Sequence, residues 1–211
     1  MGLYNDHVMP RLVGVVCGHK FFDSWRRRVC EGLEGDIIEL GFGSGTNVRF
    51  LPTAVRRVVA VEPSRTAREV AESKIIGNAF NVTFVDLDST HSLSDDSLDG
   101  ALCTFTLCSV DDPGVVLRQL LRVLKPGAPL HFLEHGLAPD QRIARWQRLL
   151  NSLERRLAGG CQLTREPLAM ISESGFVIER NEQEYARGPK PWSYFTLGVA
   201  ENHCTGDCET C

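Results

Sequence analysis

Several things are missing from this chain of 211 residues. No apolar run approaches the roughly 20 residues that a membrane-crossing helix needs. The opening MGLYNDHVMPR lacks the apolar centre of a signal peptide. Positive charge is not in excess. The 23 Lys and Arg against 27 Asp and Glu leave a net charge of −4, which argues against a nucleic-acid binder. No internal repeat is visible. The expectation is a soluble, cytoplasmic protein of one domain, long enough to bury a sizeable core. Its composition, 43% apolar and 24% charged, is that of an ordinary globular protein.

A missing glycine is equally informative. The stretch Asp36–Gly45, DIIELGFGSG, reads as a short buried strand (Ile37, Ile38, Leu40) running into a glycine turn. Gly41, Gly43 and Gly45 alternate there, permitting positive φ and close approach of a ligand to the backbone. Thr46–Leu51 reads as the start of a helix. Strand, glycine turn and helix start together form a nucleotide-cofactor site. A dinucleotide fingerprint, G-x-G-x-x-G, would need glycine at position 46, where Thr46 stands. The acidic Glu39 also sits poorly beside a pyrophosphate. It suits a ligand bearing an ammonium or sulfonium group. A turn without cofactor and a nicotinamide site are the alternatives.

Apolar and polar runs then alternate. Arg57–Glu62 reads as a second strand. Glu62 ends it 21 positions after Gly41, where nucleotide folds place an acid for the ribose diol. Pro63 and Ser64 open a helix over Thr66–Lys74. Val82–Val85 is a third strand, followed by Asp88 and Ser89 as candidates for the adenine amino group and a ring nitrogen; turn chemistry explains them nearly as well. Gly100–Thr106 is a fourth strand, ending in Leu107 and Cys108. Asp112–Leu124 is a helix and Pro129–Leu133 a fifth strand, closed by Glu134, His135 and Gly136. The order predicts a mostly parallel, doubly wound α/β sheet. Its ligands bind beyond the carboxyl ends of the strands, where Leu107–Cys108 and Glu134–His135 fall. Helix Gln141–Ala158 carries an apolar stripe of Ile143, Trp146, Leu150, Leu153 and Leu157. A further helix, Arg165–Ser174, has Thr164 as its cap. Phe176–Arg180 and Ser193–Ala200 form a terminal hairpin, giving a seven-stranded sheet with 36–200 as the catalytic domain.

Residues 1–35 form an N-terminal segment with Phe21, Phe22, Trp25, Val29 and Leu33 at helical spacing. One reading is a membrane-surface or substrate-lid helix. The ordinary one, a helix packed on the domain with Arg26, Arg27 and Arg28 solvated, is favoured because charge runs usually are. Five of the eight cysteines are scattered among predicted elements, as small buried hydrophobes. Residues 201–211 form a Cys-rich tail. There His203, Cys204, Cys208 and Cys211 are a weak zinc candidate, against a flexible tail with exposed thiols.

Taken in order, Tyr4-Asn5, ELGFGSGTN with FLP, VEP, CTFTLCSV, RVLKPGAPLHFLEH and GCQLTRE resemble the methyltransferase-like thiol S-methyltransferases of animal cells, over about residues 4–200. The glycine pattern resembles motif I of the class I S-adenosylmethionine (SAM) methyltransferases. Where animal members carry Asp, this chain has Glu62, which keeps the ribose contact. The resemblance implies a Rossmann-like class I methyltransferase fold and in-line methyl transfer from SAM to a small acceptor, a thiol or sulfide. N- or C-methylation of a lipid amine or quinone precursor, or a non-catalytic SAM- or metal-binding module, are the rivals. It makes Glu39, Gly41, Gly43, Gly45, Glu62, Pro63, Asp88, Ser89, Leu107 and Cys108 cofactor contacts, and Tyr4 and Arg165 substrate contacts. His135 is the candidate base, with a satisfied histidine shaping the pocket wall as the equal alternative, and Glu134 either orients it or lines the site. Peripheral membrane contact is the one membrane role left open, and the oligomeric state is not fixed.

Overall fold

A computed structural model describes residues 18–203. Seven strands form one sheet: β1 Gly35–Leu40, β2 Val55–Val61, β3 Asn81–Val85, β4 Gly100–Thr104, β5 Pro129–His135, β6 Phe176–Tyr185 and β7 Tyr194–Asn202. Their order is β3-β2-β1-β4-β5-β7-β6. The first five run parallel, and β7 pairs antiparallel with both β5 and β6. This is the mostly parallel sheet with a C-terminal hairpin that the sequence predicts. Among the described residues five helices accompany it: α1 Asp23–Cys30, α2 Arg65–Ile75, α3 Pro113–Val123, α4 Gln141–Leu157 and α5 Pro167–Glu173.

Parallel strands are covered on both faces, so they read as continuous apolar runs. Alternation of side chains then splits β1 between two cores. Ile38 and Leu40 join Val59, Val61, Leu117 and Leu120 under α3. Ile37 joins Val58, Ala60, Trp25 and Val29 under α1. Glu39 shares the parity of Ile37, so its carboxylate faces the side that α1 covers.

The structure departs from the sequence reading in four places. The helix expected from Thr46 is only a 3-10 turn, Val48–Phe50. Pro52 holds Leu51 extended (φ −63°, ψ 131°) and ends it. Strand β6 runs on to Tyr185, because its pairing with β7 continues to Tyr194. Thr164 caps nothing. Helix α5 starts at Pro167, whose fixed φ suits a first helical position. The stripe on α4 is only partly core: Ile143 and Leu150 are half-buried, Leu150 against Cys108, Cys161 and Leu163, while Trp146, Leu153 and Leu157 are more than half exposed. The buried face is Ala144 and Gln147. Gln147 fastens the helix, donating to the carbonyls of Gly136 and Pro191 (both 3.1 Å) and accepting from Ala138 N (2.9 Å).

Candidate active site

A cavity of about 640 Å³ opens at the carboxyl ends of β1, β2 and β4. Gly41 and Gly43 line it, and Gly41, Gly43 and Gly45 all take left-handed φ, between +56° and +70°. At Gly41 a Cβ would lie 2.1 Å from Thr106 Oγ1, so only glycine fits. At Gly43 a Cβ would meet nothing closer than 3.8 Å, and the space belongs to the cavity. Glu62 and Pro63 form the next wall. Glu62 Oε2 accepts from Gly43 N–H (2.8 Å) and Oε1 from Ser64 N–H (2.7 Å). Each oxygen keeps a lone pair for a ligand. Burial pushes this carboxyl above the usual range, and the two amides pull it back.

Behind the glycines lies a buried polar group that the sequence reading missed. Arg26 of α1 is 2% exposed and lines the cavity. Its Nη1 donates to Asn47 Oδ1 (2.5 Å) and Thr104 Oγ1 (3.2 Å), and its guanidinium lies 5.6 Å from the Phe105 ring centre. Asn47 Nδ2 donates in turn to Glu39 Oε1 (2.7 Å). Glu39 Oε2 is buried with no hydrogen-bond partner among the described residues. Desolvation pushes this carboxyl up to about 8, against the opposing pull of Asn47 and Arg26. The sequence expected Arg26 to be solvated. Its spacing from Phe22 and Val29 places it on the apolar face of α1, and that spacing was the available signal.

The loop after β4 forms the opposite wall. Phe105 lines the cavity in a left-handed conformation (φ +53°), uncommon for a bulky residue. Glu134, fully buried at the end of β5, holds this loop in place. Its Oε1 accepts from Thr106 N–H (2.8 Å), Leu107 N–H (3.0 Å) and Cys103 Sγ (3.2 Å), and its Oε2 from Cys108 N–H (3.4 Å). Glu134 therefore neither orients His135 nor lines the cavity. The Leu107 and Cys108 side chains are buried away from it, and the Cys108 carbonyl accepts from Gln162 N–H (2.8 Å). Arg165, expected to touch substrate, instead donates to the carbonyls of Leu107 and Asp111, bracing the same loop from outside.

The other expected residues are placed as follows. The Ser89 N–H, expected to read an adenine nitrogen, is bonded to Asp86 O (3.0 Å) in a turn. Asp88 and Ser89 are exposed, and Leu87 is the residue of that loop lining the cavity. His135 lies outside the cavity wall, its ring 5.0 Å from those of both Phe105 and Phe195. Burial draws its pKa down to about 4, so the imidazole is neutral at pH 7, with the Trp192 backbone as its partner. Tyr4, Cys204, Cys208 and Cys211 lie outside the described residues. His203 Nε2 faces Glu201 (3.4 Å) and Glu179 (3.7 Å) at the surface, which gives the zinc expectation no support.

A positive-φ glycine cradle, an acid closing β2 and an unsatisfied buried carboxylate facing a guanidinium suit a zwitterionic ligand with a ribose. Together with the sheet order they define a SAM-dependent methyltransferase. The comparisons agree. Residues 38–132 match the methyltransferase domain family. The chain is 33% identical over 172 residues to thiol S-methyltransferase TMT1B of Rattus norvegicus, covering 78% of this chain and 68% of that protein. It is 32% identical over 168 residues to TMT1B of Homo sapiens, covering 77% and 66%. Among solved structures, a SAM-dependent methyltransferase of Methanosarcina mazei aligns at TM-score 0.63 and 21% identity, over 80% of this chain and 93% of that one, and supports the fold. The chain belongs to the family of these thiol S-methyltransferases, and it spans about two thirds of their length.

Proposed function

We propose that this methyltransferase moves the methyl group of SAM to a small thiol. One observation carries the choice of acceptor: among the described residues, no histidine, lysine, cysteine or tyrosine lines the cavity. Its titratable lining residues, among those described, are Arg26, Glu62, Asp111 and Asp112. His135 is outside it and held neutral down to about pH 4, and Glu134 is occupied by three backbone amides. A thiol with a pKa of about 8.5 is partly ionised at neutral pH and needs no such base. The names of the relatives point the same way.

Bound SAM supplies an electrophilic methyl carbon. Glu62 would hold the ribose diol with its two free lone pairs, and Gly43 would let the cofactor approach the backbone. Glu39 would hold the methionine ammonium and Arg26 the carboxylate. Phe105 and Thr106, the loop fixed by Glu134, line the cavity and would keep water from the acceptor and orient it towards the methyl carbon. The thiol proton leaves to solvent before transfer.

The pH dependence of kcat/KM tests this. It should rise about tenfold per pH unit below the acceptor's own pKa and shift with that pKa between thiols. A limb near pH 6–7, common to all acceptors and removed by His135→Gln, would overturn it. A carbon acceptor is the second reading. It rests on 36% identity over 104 residues to a demethylmenaquinone methyltransferase of Clavibacter sepedonicus, 49% of this chain and 42% of that protein.

A further inference from the structure

We propose that helix α4 seats the protein on an anionic phospholipid surface, with the cavity mouth at the membrane boundary. The outer face of α4 carries Trp146, Leu149, Leu153 and Leu157, each more than half exposed. Their spacing aligns them in one stripe along the helix. Five arginines, 142, 145, 148, 155 and 156, lie on the exposed surface of the same helix against the single acid Glu154. None of these arginines forms an ion pair among the described residues. The chain as a whole is acidic, at −4, so this positive charge is local. A Trp/Leu stripe flanked by arginine is the composition of a helix lying in a headgroup layer, and it complements anionic lipid rather than another copy of this acidic chain. The α1 segment has similar composition but packs Trp25, Arg26 and Val29 inward, leaving α4 as the helix with an uncovered apolar face.

The placement has a consequence for catalysis. Ala158 and Gly159, directly after α4, line the cavity. A helix lying in the interface would bring the cavity rim to the lipid boundary, where apolar thiols concentrate.

The test uses the full chain and vesicles of phosphatidylcholine with and without phosphatidylserine. Wild-type protein should co-sediment with the anionic vesicles at least tenfold better than with the neutral ones, and lose this at high salt. Two variants separate the contributions. Trp146→Ser/Leu149→Ser/Leu153→Ser removes the stripe, and Arg145→Glu/Arg148→Glu/Arg155→Glu reverses the charge. Both should lose vesicle binding while keeping the wild-type melting temperature and SAM affinity, since every altered side chain is exposed. Trp146 fluorescence, isolated by difference from Trp146→Phe, should shift to the blue on anionic vesicles. Equal binding by either triple variant would overturn the proposal. So would a Trp146 already shielded from acrylamide without lipid, or a dimer abolished by the stripe variant with no vesicle binding.

Discussion

Replacing Glu39 by Gln separates what this residue does for stability from what it does for the cofactor. The substitution keeps the shape and the hydrogen bond from Asn47 (2.7 Å) and removes only the ability to ionise. The folded carboxyl titrates at about 8 and the unfolded one near 4.5. As pH rises from 4.5 to 8 the unfolded chain gives up this proton and the folded one does not, so the fold loses stability across that window. At pH 7 the linked loss is about 3 kcal/mol, from about 1.4 kcal/mol per pH unit. Glu39→Gln escapes it. The variant should therefore unfold at a higher denaturant midpoint than wild type at pH 8, with the gap closing towards pH 5. Its affinity for SAM should fall nonetheless. A charge-assisted bond from a buried carboxylate contributes about 1.5–3 kcal/mol, and ionising Glu39 at pH 7, one unit below its pKa, takes back about 1.4 kcal/mol. The Kd at pH 7 should therefore rise by up to about 15-fold by calorimetry. A variant that binds SAM as tightly as wild type, or that is less stable than wild type at pH 8, would refute the role given to Glu39.

Arg26→Lys keeps the charge but loses the planar fork bonded to Asn47 and Thr104. It should weaken SAM binding at least tenfold with a smaller change in kcat, read by equilibrium binding beside steady-state rates. Gly41→Ala forces a Cβ to 2.1 Å from Thr106 Oγ1 in a left-handed conformation. It should lower stability by about 2–5 kcal/mol in urea denaturation; an unchanged midpoint would remove the steric argument. Glu134→Gln turns an amide donor towards the backbone N–H groups of the β4 loop and should cost about 1–3 kcal/mol. Its kcat should fall more than its SAM affinity, because the loop it holds carries Phe105.

The parallel core of the sheet was legible because strands covered on both faces are unbroken apolar runs, as in Ile37–Leu40 and Val58–Val61. The glycine turn was legible because Gly41, Gly43 and Gly45 need the backbone freedom their φ values show. Side-chain partners were not. Glu134 falls at the ligand edge of the sheet, as the sequence indicates, and Arg165 was expected against substrate, yet both are consumed by backbone groups of the β4 loop that are distant along the chain. His135 was an attractive base by position, but Phe105 from the loop after β4 and Phe195 from β7 pack against it, and burial sets its neutrality. Periodicity found the stripe on α4 without revealing that Leu150 packs inward while Trp146, Leu153 and Leu157 stay exposed, since period alone does not distinguish a core face from a docking face.

The central claim is the acceptor. It is tested most directly by methyl transfer from labelled SAM to a panel of sulfide, small alkyl thiols, amines and quinone precursors. A cavity that no described histidine or lysine lines predicts product on thiols, with rates that follow thiolate concentration. Product on amines or quinone precursors, with thiols left unmethylated, would contradict it.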